Sequence, residues 1–163
     1  VTPRELTIPE IARIVEQYAT ATRRARAAGF DGVEIHGAHG YLIDAFLRDG
    51  SNHRTDQYGG SIENRARFLV EVMTAVIGEI GAGKVGIRLS PVSPVNDSSE
   101  SNPQPLFEHV VRELEKLHPV YIHVVEGYTG GPRVLRQTLE KISNCEALAK
   151  AQQASLSKFL AQF

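Results

Sequence analysis

With 163 residues the chain is long enough for one domain with its own core. A hydrophobic share of 42% favours a folded globular chain over disorder, and 18 Lys and Arg against 19 Asp and Glu remove the electrostatic case for nucleic acid or an anionic membrane. No apolar run reaches transmembrane length and no signal-peptide pattern opens the chain; the single cysteine, Cys145, cannot close an internal disulfide, so a cytoplasmic location is expected.

Thr7-Ile8-Pro9-Glu10 predicts a helix start, with Thr7 as cap, Glu10 bonding back and Pro9 in the first turn. Ile11, Ile14, Val15, Tyr18 and Ala25 then recur at helical spacing, Arg23, Arg24 and Arg26 suit the C-terminal end, and Gly29 stops the helix. The chain opens only a few residues before this signal, which points to a piece of something longer. A short strand, Gly32 to His36, follows. Leu42 to Leu47 predicts a short helix, and Arg48 to Gly60 an ordered surface loop. Ser61 caps the next helix, whose apolar face is Ala66, Leu69, Val72, Met73, Val76 and Ile80, and Gly81 and Gly83 end it.

Val85 to Leu89 is a second strand. A loop rich in Pro, Ser and Asn runs from Ser90 to Pro105, and Leu106, Val110, Val111, Leu114 and Leu117 mark another helix. Val120 to Glu126 is the third strand, and Gly127 to Pro132 a glycine-rich turn. Strands alternating with helices imply a parallel sheet. Side chains alternate across a strand, so Glu34, His36, Arg88, Tyr121 and His123 should share one face. An open sheet with helices on both faces would put apolar residues there, whereas a barrel tolerates polar groups near its C-terminal rim. The fold class expected is therefore α/β, a partial TIM (β/α)8 barrel of about three parallel strands with flanking helices. Glu34 and Arg88 are expected to compensate each other's charge inside it.

Chemistry concentrates where the first strand ends. His36 closes the strand, His39 lies in the glycine-bearing loop beyond it, and Tyr41 follows two residues later. Taken alone, the histidines read first as polar turn residues. A His-x-x-His pair also suits zinc if His123 supplies a third ligand, but no metal site is expected, because a structural or catalytic zinc needs a tighter frame. His53, His109 and His118 read as solvated, and Cys145 has no evident base beside it.

Three long motifs occur in order: Gly32-Val33-Glu34-Ile35-His36-Gly37-Ala38-His39-Gly40-Tyr41-Leu42, then Asn52-His53-Arg54-Thr55-Asp56-Gln57-Tyr58-Gly59-Gly60-Ser61-Ile62-Glu63-Asn64-Arg65-Ala66-Arg67, then Gly86-Ile87-Arg88-Leu89-Ser90-Pro91. They closely resemble the Old Yellow Enzyme family of FMN-dependent NAD(P)H oxidoreductases and ene-reductases. The bacterial branch that reduces maleimides and nitrate esters looks nearest, on the strength of the two histidines. The resemblance implies that His36 and His39 bind the oxygen of an activated alkene, nitro compound or nitrate ester, or the nicotinamide amide. It implies that Tyr41 is the catalytic proton donor and that Arg88 binds the FMN cofactor, with NADH or NADPH as reductant.

The resemblance covers residues 1–133 and assigns its strands to the fourth, fifth and sixth of the family barrel; the strands that would grip the FMN phosphate have no counterpart in it. Residues 134–163 depart from the family pattern. Leu135, Leu139, Ile142, Ala149, Leu156, Leu160 and Phe163 suit a divergent amphipathic helical tail. The tail, or an open sheet edge, is expected to support self-association. A non-catalytic half-barrel acting as an interaction module is the alternative, and a zinc-dependent hydrolase using His36, His39 and His123 a weaker one.

Overall fold

A computed structural model describes residues 4–125. It begins with α1 (Ile8–Ala27), whose entry is the expected capping box: the Thr7 hydroxyl accepts from Glu10 N–H while the Glu10 carboxylate accepts from Thr7 N–H. The same carboxylate takes the Arg4 guanidinium, and these contacts hold it well below the usual carboxylate range. β1 (Val33–Gly37), α2 (Leu42–Leu47), α3 (Ile62–Ile80) and β2 (Val85–Leu89) follow. Ser61 caps α3 by accepting from Asn64 N–H, and Gly81 ends it at φ 88°, a left-handed value that glycine adopts without steric cost.

α4 (Pro103–Leu117) starts three residues ahead of its first apolar position, because Pro103 occupies the first turn, where a missing N–H costs nothing. It ends at His118, a non-glycine residue in the left-handed region at φ 52°. β3 (Tyr121–Val124) completes the described elements. Glu126, the 127–132 turn and the expected 134–163 tail lie outside the described residues.

The three strands pair in parallel in the order β1-β2-β3. One face is apolar. Ile35, Val85, Ile87 and Leu89 join a single core with Ile11 of α1, Leu69, Val72 and Val76 of α3 and Leu106, Val110 and Leu114 of α4. A salt bridge from Arg23 to Glu79 adds a polar tie between α1 and α3. The other face carries Glu34, His36, Arg88, Tyr121 and His123, as alternation requires, and no described helix covers it. A doubly wound sheet would have helices on both sides; one covered and one polar face is the arrangement of a barrel wall.

Two expectations need correction. The 48–60 stretch is not a surface loop at its anchors: Arg48, Asn52 and Tyr58 are buried. Asn52 donates to the carbonyls of Phe46 and Tyr58 and accepts from Arg54 N–H, so the loop is ordered from inside. Nor do Glu34 and Arg88 compensate each other. The register sets Arg88 opposite His36 and His123, one row above Glu34, and Glu34 Oε2 lies 3.2 Å from His123 Nδ1 instead.

Candidate functional site

The site is built from two rows and a loop. The lower row across the open face is Glu34, Gly86 and Tyr121; the upper row is His36, Arg88 and His123. Gly86 has a steric reason: a Cβ there would stand 2.2 Å from the Tyr121 ring, so the ring lies across the strand only because the side chain is missing. Burial, then the Glu34 carboxylate, raises the Tyr121 phenol pKa.

Beyond β1 the chain turns sharply. His39 and Gly40 both sit in the left-handed region, at φ 59° and 72°. This backbone is fixed from several sides. His39 N–H donates to Ser90 Oγ at 2.7 Å, Asn96 Nδ2 donates to the His39 carbonyl at 2.9 Å, and Gly40 N–H donates to Asp44 Oδ2 at 2.8 Å. The turn returns the His39 ring to 5.8 Å from that of His36 and places the Tyr41 ring 5.4 Å from His36, centroid to centroid. His39 Nδ1 sits 3.3 Å from Ser93 Oγ. Tyr41 is 58% exposed and precedes α2 as its N-cap, so the phenol stands at the rim.

Burial lowers the His39 pKa, and the nearby Arg88 and His36 lower it further, against a smaller opposing pull from Asp44. The lowering favours the neutral imidazole, which hydrogen-bonds an oxygen without surrendering a full proton. Arg88 Nε is buried without a hydrogen-bond partner among the described residues. Arg65 Nε has none either, but its guanidinium is engaged by the Leu47 carbonyl and Glu100. An orphaned guanidinium N–H on the open face, beside His39, is what an electron-rich ring edge would satisfy, so the residues present fit a flavin.

All four residues expected from sequence, His36, His39, Tyr41 and Arg88, therefore gather at the C-terminal ends of β1 and β2. His123 is near them but paired with Glu34, and among the described residues no group of three or more His, Cys, Asp or Glu could hold a metal ion. No helix there is long and apolar enough to cross a membrane. Sequence reasoning passed over Asp44, Arg48, Ser90, Ser93 and Asn96. One signal was available: Asp44 and Arg48 are opposite charges at helical i,i+4 spacing within an otherwise apolar run.

A parallel wall with polar chemistry at the strands' C-terminal ends defines a (β/α)8-barrel enzyme segment. The comparisons agree. The family model for NADH:flavin oxidoreductase / NADH oxidase matches residues 1–157, and the chain belongs to that family. It is 57% identical over 126 residues to putative 12-oxophytodienoate reductase 3 of Oryza sativa subsp. japonica, a match covering 76% of this chain and 33% of the relative. It is 46% identical over 160 residues to flavin oxidoreductase hxnT of Emericella nidulans, covering 94% and 40%. Among solved structures, morphinone reductase in complex with tetrahydroNAD superposes with a TM-score of 0.82 at 43% identity, covering 87% of this chain and 39% of that one. The old yellow enzyme homologue of Zymomonas mobilis gives 0.80 at 38%, covering 85% and 41%. The chain thus spans a third to two-fifths of the length of these relatives, and the likeness extends well beyond the bacterial branch.

Proposed function

We propose that this chain forms the substrate-polarising and flavin-facing wall of an FMN-dependent NAD(P)H oxidoreductase of ene-reductase type, exerting its chemistry when a closed barrel surrounds it. The observation that carries the reading is the convergence of His36, His39, Tyr41 and Arg88, whose buried Nε has no hydrogen-bond partner among the described residues, at one end of the open face. FMN, when bound and reduced by NADH or NADPH, supplies the hydride. Arg88 holds the electron-rich edge of that cofactor through its guanidinium. His36 and His39 bind the oxygen of an activated alkene, nitro compound or nitrate ester and draw electron density away from the carbon to be attacked. Tyr41, at the rim, donates its phenolic proton to the adjacent carbon; a phenol is a weak acid, but a developing enolate is basic enough to take that proton. The single cysteine suits a reducing, cytoplasmic setting.

The test separates the two halves of the reaction. Tyr41→Phe is expected to slow maleimide reduction by at least about tenfold, within the span general acids contribute, while NAD(P)H oxidation by an acceptor that needs no proton is unchanged. Equal loss in both would remove Tyr41 from the proton-donor role. A second reading, a non-catalytic half-barrel that serves as an interaction module, draws on the exposure of Glu34 and His36 on the uncovered face. Self-association through that face or a sheet edge would appear as a dimer mass in solution.

A further inference from the structure

We propose that the buried Asp44–Arg48 pair is the positioning device of the site, setting the backbone that aims His39 and Tyr41. This rests on the roles just given to those two residues. Asp44 is fully buried and Arg48 is 2% exposed. A buried ion pair is a poor source of stability, because desolvation consumes most of the Coulombic gain. Its geometry accounts for it better.

Asp44 Oδ1 accepts from Arg48 Nε at 2.9 Å, while Asp44 Oδ2 accepts the N–H of Gly40, the residue between His39 and Tyr41. Arg48 Nη1 donates to the Pro91 carbonyl at 2.8 Å and Nη2 to the Ser90 carbonyl at 2.6 Å. Ser90 Oγ then accepts the N–H of His39, closing a circuit between the loop after β1 and the loop after β2. The guanidinium carbon lies 4.9 Å from the centroid of the Phe107 ring, so the device is seated on α4.

The circuit holds a backbone that would not hold itself. His39 at φ 59° is a non-glycine residue in the left-handed region, which costs of order 1–3 kcal/mol and persists only where the surroundings over-determine it. A Cβ on Gly40 would meet the Val95 carbonyl at 2.7 Å, so the turn is also pressed against the 95–97 segment. Releasing Asp44 frees the Gly40 end of the turn; releasing Arg48 frees the Ser90 end. The planar fork of arginine reaches two carbonyls and a carboxylate together, which a lysine ammonium cannot do.

The experiment is amide hydrogen exchange by NMR on the 163-residue chain without flavin. In Asp44→Asn, the Gly40 amide is expected to lose at least tenfold more protection than the amides of Leu69 and Val72 in α3, which report the global loss of stability. Arg48→Lys, which keeps a cation beside Asp44, is expected to preserve Gly40 and release His39; Arg48→Met releases both. Unchanged protection at His39 and Gly40, or a loss at Gly40 no greater than in α3, would each overturn the proposal. Failure of FMN to bind a closed barrel carrying this segment, with this pattern intact, would instead count against the flavin reading and leave the device standing.

Discussion

The two faces of the sheet are made from alternate residues of the same strands, yet they obey different rules. On the helix side Val85, Ile87 and Leu89 are fully buried in a continuous apolar core. On the open side Glu34 and His36 are exposed, the Arg88 Nε–H has no partner among the described residues, and Tyr121 fills the space above a glycine. The first face is optimised for burial. The second retains unsatisfied and titratable groups that a face selected only for stability would lose, and such departures from local consistency are expected at functional sites. The clamp of Asp44 and Arg48 joins the two: polar, yet wholly buried, it sits in the core layer and acts on the open one.

This contrast can be broken by mutation. The largest effect is expected from Asp44→Ala, which leaves the Arg48 charge buried without its carboxylate; breaking such a pair costs about 3–5 kcal/mol, read by urea denaturation. A loss below about 1 kcal/mol would mean that Arg48 finds another partner. Leu69→Ala, in the fully buried core, should cost about 2–5 kcal/mol. His36→Ala, on the open face, should stay within about 0.5 kcal/mol; a comparable loss from both would erase the distinction between the faces. Gly86→Ala should fall between, at about 1–3 kcal/mol, because the new methyl displaces the Tyr121 ring. Its signature would be a lowered phenol pKa for Tyr121 as the ring leaves its buried place beside Glu34.

The smallest effect is the pH dependence from His39. Its folded-state pKa lies below the ordinary 6.5, so the unfolded chain binds this proton more readily than the folded one. Stability should therefore fall as pH drops below 6.5 towards the folded value, with no contribution from His39 above it. His39→Asn, which tolerates the left-handed backbone, should flatten that slope. An unchanged slope would assign it to other groups.

Local chemistry made much of this legible. The Thr7–Glu10 box, the Ser61 cap and the strand alternation each depend on neighbours within four residues, and each appears where the sequence places it. Alternation also assembled the open face, since period two sorts side chains by parity alone. What parity omits is register. It groups Glu34 with Arg88, but the parallel ladder sets Arg88 a row higher and gives Glu34 to His123. The Asp44–Arg48 clamp was hidden for a related reason: Arg48 finds its carbonyls on Ser90 and Pro91, 42 and 43 residues away. The left-handed turn at His39 has no signature in a histidine; only Gly40 hints at it.

The central claim is that the open face is a flavin surface built around Arg88. Its most direct test is an FMN titration of a closed family barrel carrying this segment, wild type against Arg88→Met, followed by flavin absorbance and fluorescence with the mass in solution measured alongside. The account predicts saturable binding near one FMN per chain, at least tenfold weaker in Arg88→Met with the fold unchanged. No saturable binding, or equal binding by both proteins, would contradict it.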